Sequence, residues 1–305
     1  MLINKSSKIN IPNLFILIGL LISIFVSIQI TLNFDEHYVR SDGSVAHKII
    51  KSGIKEYWLS ADKFKKDLDK DKNFFEAGGP LSMDYLYPKL IGIYYKIINK
   101  EIIGLDNKFL TNNYKFGIPI IQSIIYFLCL FFFYQKITNK FSKHIVNATI
   151  FFLAFEPTLI SYNSFYSTES LYLSIMLVLF ILFIDEPKKN FQYFLIGLIL
   201  GLSYMQRNVS ILLFLPIILY LFIFNKNKAI FQSFLVLAGY SLILLFIGLN
   251  EYKKTNLFYF TPPSQGDAHW HYVAHKLDAK KNKLSLNESL QKKMKNLNYG
   301  FKKII

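Results

Sequence analysis

The chain has 305 residues, 52% of them hydrophobic and 17% aromatic, with a formal net charge of +15. In a soluble protein that excess of base points to nucleic acid, but here lysine gathers in loops between long apolar blocks, where it faces anionic lipid headgroups. The single cysteine, Cys129, lies inside an apolar run, which excludes a disulfide framework and a CxxC metal site.

In chain order the apolar blocks are 11–32, 116–134, 145–161, 170–184, 191–206, 209–224 and 229–249. A bilayer-spanning helix needs about 20 mostly apolar residues, so the pattern predicts an all-α integral membrane protein with about seven transmembrane helices. Several blocks are short, and those helices must tilt or borrow flanking polar residues. The first block, IPNLFILIGLLISIFVSIQITL, exceeds a usual signal core, and no small-x-small site precedes Asn33, so a retained helix is expected. Blocks 191–206 and 209–224 are separated only by Arg207 and Asn208, which predicts a tight helical hairpin.

Lysine positions orient these helices. With the N-terminus cytoplasmic, the inside carries Lys5, Lys8, Lys136, Lys140, Lys143, Lys188, Lys189, Lys226 and Lys228, and the short outside turns carry only Arg207. Lys253 and Lys254, just after the last block, run against this bias. A transmembrane domain over 1–249 then has a long first outer loop, 33–115, and an outer tail, 250–305. Within the loop, residues 85–99, YLYPKLIGIYYKIIN, follow a Gly-Gly-Pro turn and predict an interfacial helix with tyrosines at headgroup level. The tail ends in NESLQKKMKNLNYGFKKII, a basic amphipathic pattern.

Five charged residues are the candidates for chemistry. Asp35 and Glu36 come three residues after the first block ends, and Asp42 and His47 lie in the same stretch. Neighbours on a helix diverge by ~100°, so the pair can divide roles between base and cation binding, or simply meet water beyond the span. Glu156, before Pro157, falls inside the third block, where an ionised carboxylate is costly unless paired; it either serves a function or loosens the helix. Glu169, next to Thr168, opens the fourth block and suits either a site or the positive end of the helix dipole. Arg207, at the outer turn, is either a bidentate phosphate clamp or a snorkelling anchor. A base and a phosphate clamp on one face are the minimum for displacing a lipid phosphate by a hydroxyl. DAHWHYVAH, at 267–275, holds an HxH pair, but no Cys or spaced acid completes a zinc pattern, so an interfacial aromatic patch is expected and no resident metal site.

Four segments resemble the membrane-embedded glycosyltransferases of the GT-C class, nearest the protein O-mannosyltransferase and aminoarabinose-transferase branch. They are FDEHY at 34–38, PLSMDYLYPKLIGIYYK at 80–96, SYNSFYSTESLYLSIML at 161–177 and GLILGLSYMQRNVSILL at 197–213. The resemblance implies transfer of a sugar from a polyprenyl-phosphate donor to an acceptor hydroxyl of a glycan, lipid or protein, with inversion, on the extracytoplasmic face. It implies Asp35 as general base with Glu36 beside it. Glu169, Arg207, Glu156 and Tyr85, the last within the 80–96 segment, would bind substrate. No cofactor is specified, although Asp35 and Glu36 suit a divalent cation such as Mg²⁺ alongside donor phosphate. Relatives of this kind continue through further helices, so the resemblance implies a C-terminally truncated member in the cell membrane, the inner membrane if the source is bacterial. A transporter or flippase for a lipid-linked sugar, using Glu156 and Arg207, or an inactive scaffold, are the competing expectations; a transporter predicts inverted repeats and matched broken helices.

Overall fold

The computed structural model describes residues 10–33, 61–72, 77–78, 86–101, 117–164, 167–184, 189–225, 228–256, 258 and 280. Every regular element among them is helical. In chain order these are α1 (Ile11–Asn33), α2 (Leu86–Ile97), α3 (Gly117–Ile137), α4 (Lys143–Phe155), α5 (Pro157–Ser164), α6 (Thr168–Ile184), α7 (Asn190–Gln206), a 3-10 turn (Asn208–Leu213), α8 (Phe214–Asn225) and α9 (Ala229–Thr255). A further short helix covers residues 61–68.

Five predicted blocks each become one helix, and two become compound elements. Block 145–161 breaks at Glu156 into α4 and α5, which meet at a 45° bend. The cause is Pro157, which lacks an N–H and forces the preceding residue out of helical geometry; Glu156 is accordingly extended, at φ −61° and ψ 121°. Block 209–224 becomes the 3-10 turn followed by α8. The hairpin between α7 and α8 turns on Arg207, whose extended backbone still donates its N–H to the Ser203 carbonyl at 2.8 Å.

Length and apolarity qualify three helices to cross a bilayer, at Ile11–Gln29, Gly117–Ile137 and Ala229–Thr255, and a fourth if the bent α4–α5 pair is one span. Helices α6 and α7 have 17 residues each, about 26 Å at the α-helical rise, short of a hydrocarbon core of about 30 Å. Helix length therefore establishes an all-α membrane protein without establishing seven spans.

Solvent-facing logic is inverted on α1. Ser23 and Ser27 are fully buried, whereas Leu21 is 57% and Phe25 is 62% exposed. An element that hides hydroxyls and presents leucine and phenylalanine is built for lipid. Hydrogen bonds fix the helix directions. Asn10 pairs with Tyr134 at one end of α1, and Ser23 meets Ser123 at 2.8 Å toward the other, so α1 and α3 are antiparallel. Helices α6 and α7 are also antiparallel, since Gln206 donates to the Thr168 carbonyl at 2.9 Å where one ends and the other begins.

Helices α7 and α9 run parallel and very close. A Cβ on Gly197 would sit 2.1 Å from the Val236 carbonyl oxygen, and one on Gly201 would sit 2.7 Å from Ile243 side-chain atoms. The GLILG sequence thus supplies a small-xxx-small face that lets two backbones touch. Near the end of this contact Met205 and Ile247 form a small buried cluster, against which Leu86 of α2 packs. The ends of α1 and α7, the starts of α3 and α6, α5 and the end of α9 therefore share one end of the bundle, with α2 lying across it. Gly197→Ala should lower thermal stability by about 1–3 kcal/mol, as overpacking does. Gly201→Ala should cost less, because a side chain yields where a carbonyl does not; thermal unfolding in detergent with the reverse order would contradict this packing.

Candidate functional site

Helix α6 begins with a dense run of hydroxyls and one acid. Ser167 accepts the Glu169 N–H at 3.2 Å, the pattern of an N-terminal cap, and returns its own hydroxyl to the Glu169 carboxylate. Ser167 thus caps the helix, while the Thr168 hydroxyl reaches the same carboxylate at 3.3 Å. Capping leaves the other Glu169 oxygen to ion-pair with Arg207 Nη1. Capping and the ion pair thus draw on different oxygens of one carboxylate.

The pair sits at the rim, with side-chain exposures of 38% for Arg207 and 30% for Glu169. Beneath it lies a buried polar layer. Gln122 of α3 accepts the Tyr87 hydroxyl at 2.7 Å and donates to the Ser167 carbonyl at 3.4 Å. Ser170 donates to the Asn163 side-chain carbonyl, and Ser123 reaches the Asn163 backbone carbonyl at 3.3 Å. Ser164 donates to the Ser23 carbonyl at 3.1 Å. Five helices, α1, α2, α3, α5 and α6, are thus stitched together directly under the ion pair. Within an apolar surround each such group needs an internal partner, which makes the layer a strong constraint on helix register. The Asn163 Nδ2 and Gln206 Oε1 atoms are buried without a partner among the described residues.

Glu156 occupies a different niche. Its carboxylate accepts the Leu159 N–H at 2.7 Å and caps α5 across the proline break. Among the described residues no hydrogen bond or ion pair joins it to Glu169 or Arg207. Asp35, Glu36, Tyr85, Asp42, His47 and the His269–His275 stretch lie outside the described residues. Helix α1 ends at Asn33, at the same end as the Glu169–Arg207 pair. No three His, Cys, Asp or Glu residues gather into a metal-binding group among the described residues.

A second charged cluster lies across this end. Helix α9 continues to Thr255, which carries Asn250 and Glu251 into the protein; Glu251 is fully buried and meets Lys254 at 3.4 Å. Lys89 of α2 is 5% exposed, with its ammonium 5.0 Å from the Phe64 ring centroid. Tyr87 and Tyr95 are likewise buried in protein rather than held at headgroup level. The sequence missed Gln122, Gln206, Tyr87, Lys89 and Glu251. Gln122 is a polar residue inside block 116–134, and its signal was the one used for Glu156.

Residues 107–249, just under half of the chain, match the family model described as dolichyl-phosphate-mannose-protein mannosyltransferase. This supports a GT-C, mannosyltransferase-like family, with glycosyltransferase activity and a lipid-linked sugar donor as the family's character. The match includes Glu156, Glu169 and Arg207 and excludes Asp35 and Glu36. No curated protein and no solved structure matches the chain.

Burial, reinforced by the Lys254 charge and opposed by Glu251, lowers the Lys89 pKa from 10.5 to about 7. Below pH 7 both folded and unfolded chains carry the proton and the cost of a buried ammonium is complete. Between about pH 7 and 10.5 only the unfolded chain binds it, so this residue's contribution to stability rises with pH. Thermal unfolding of the parent against Lys89→Met should therefore favour the parent progressively more from pH 7 to 10. A pH-independent difference would exclude a lowered lysine.

Proposed function

We propose that this chain transfers a sugar from a polyprenyl-phosphate donor to an acceptor hydroxyl, with Arg207 holding the donor phosphate and Asp35 acting as base. The observation that carries this reading is the rim-exposed Glu169–Arg207 pair at the end of the bundle where α1 terminates, two residues before Asp35.

A guanidinium offers five N–H donors in a planar fork. Glu169 orients one edge of that fork, and a phosphate matches the same geometry through bidentate, charge-assisted hydrogen bonds. Glu169 thus keeps Arg207 at the rim and prevents it from extending freely into solvent. In the transfer step Asp35 accepts the acceptor hydroxyl proton while the oxygen attacks the anomeric carbon opposite the phosphate. The carbon–oxygen bond to phosphate breaks, and its electron pair leaves on polyprenyl phosphate. One displacement inverts the anomeric centre. The leaving phosphate gains negative charge, which Arg207 stabilises. Glu36 stands beside the base, and Tyr85 and Glu156 are assigned to the substrate's surroundings.

Lysine distribution favours the extracytoplasmic face of a multi-pass protein in the cell membrane for this end. The acceptor is a hydroxyl of a glycan, lipid or protein. A transporter reading draws on the 45° break between α4 and α5, since transporters bind at broken helices. That break is explained by Pro157 alone, and its carboxylate is used in capping.

Labelled sugar supplied on polyprenyl phosphate to membranes should appear in new glycosidic bonds. Asp35→Asn should lower kcat by about 10²- to 10⁴-fold, the usual contribution of a general base. Movement of label across vesicles without new bonds would support the transporter instead. For Arg207→Ala the expected change is a donor KM raised about 10- to 100-fold, matching loss of charge-assisted hydrogen bonds. An unchanged donor KM would remove Arg207 from the phosphate site.

A further inference from the structure

We infer that Tyr87 and Gln122 are positioning residues, forming a relay through which the docking of α2 sets the geometry of the Glu169–Arg207 pair. The inference rests on the reading that this pair holds the donor phosphate.

Two adjacent residues of α2 bear on the two members of the pair by separate routes. Leu86 packs against Met205 and Ile247, and Met205 lies two residues before Arg207 on the same chain segment. Tyr87 donates to Gln122 at 2.7 Å, Gln122 donates to the Ser167 carbonyl at 3.4 Å, and Ser167 donates to the Glu169 carboxylate. One short helix thereby touches the supports of both the acid and the arginine.

The Tyr87–Gln122 link is buried, and the Gln122–Ser167 link lies partly so. Tyr87 is 0% and Gln122 is 1% exposed, so removing the hydrogen bond between them disturbs a buried polar contact. Gln122 uses its two ends differently, its carbonyl accepting from α2 and its amide donating to the start of α6. A residue with only one of these capacities cannot make both links. Helix α2 is itself held on its far side. A Cβ on Gly92 would meet the Phe64 ring at 2.6 Å and the Ala61 carbonyl at 2.9 Å, so residues 61–68 press directly on it. Displacing α2 therefore withdraws the Tyr87 hydroxyl and the Leu86 side chain together. The first turn of α6 and the end of α7 then loosen in concert, and Arg207 loses the orientation that matches a phosphate. Through this coupling the segment outside the bundle governs a site that it does not itself line.

The test uses the full chain in detergent, comparing the parent with Tyr87→Phe, Gln122→Leu, the double variant and Tyr95→Phe. Amide hydrogen exchange at residues 167–171 should quicken about three- to tenfold in each relay variant, the scale of one lost buried hydrogen bond. Since both substitutions cut the same connection, the double variant should exchange no faster than the faster single variant. Tyr95→Phe removes a buried hydroxyl from the same helix and should leave that turn unchanged. Unaltered exchange in the relay variants, additive effects in the double, or an equal response in Tyr95→Phe would overturn the relay. In transfer assays the relay variants should raise donor KM several-fold with a smaller change in kcat. If exchange responds as expected but the parent transfers no sugar, the relay stands and the transferase reading fails.

Discussion

The Glu169–Arg207 ion pair depends on, and in turn requires, the meeting of helices at one end of the bundle. Neither residue can hold the other unless the start of α6 lies beside the end of α7. That adjacency is secured by hydrogen bonds to backbone carbonyls, from Gln206 to Thr168 and from Gln122 to Ser167. A surface ion pair is worth little by itself. Here the pair stands on a buried polar layer whose members have no aqueous alternative, and this layer gives the charged rim its definition.

The same constraint explains why so many small polar residues occur in apolar helices. Ser23, Ser27, Ser123, Ser164, Ser170, Ser174 and Ser203 are buried, and several return a hydroxyl to a carbonyl of their own helix. Such bonds consume the hydroxyl locally, so serine can face a neighbouring helix without demanding a distant partner. Asn163, Gln122 and Gln206 differ, having longer reach and two-sided amides. They join helices, and they surround the start of α6 that presents Glu169.

Much of this organisation was readable from the residues. The seven blocks appear as helices within a few residues, because an unbroken apolar run of that length has few other satisfactory conformations in lipid. Pro157 announced the break, and the Arg207–Asn208 interruption announced the hairpin. Less readable was everything requiring two distant segments. Tyr87 looked like an interfacial aromatic, since tyrosine, lysine and aliphatics in alternation describe a membrane surface as well as a docking face. Its hydroxyl finds its partner in Gln122, thirty-five residues later.

Sequence alone determined the class of the molecule, the positions of its helices and the identity of its charged residues, since hydrophobic length and proline chemistry act locally along the chain. It also supplied Asp35 and Glu36, which lie outside the described residues. Tertiary structure decided which of those charges meet. Glu156 and Glu169 are both acids beside apolar helices, yet one caps α5 and the other grips Arg207. The difference comes from helix packing, above all the glycine-mediated contact of α7 with α9 and the antiparallel contact of α6 with α7. No local pattern encodes a partner that far away, because ion pairs and amide bridges are set by distance in space rather than by separation in sequence.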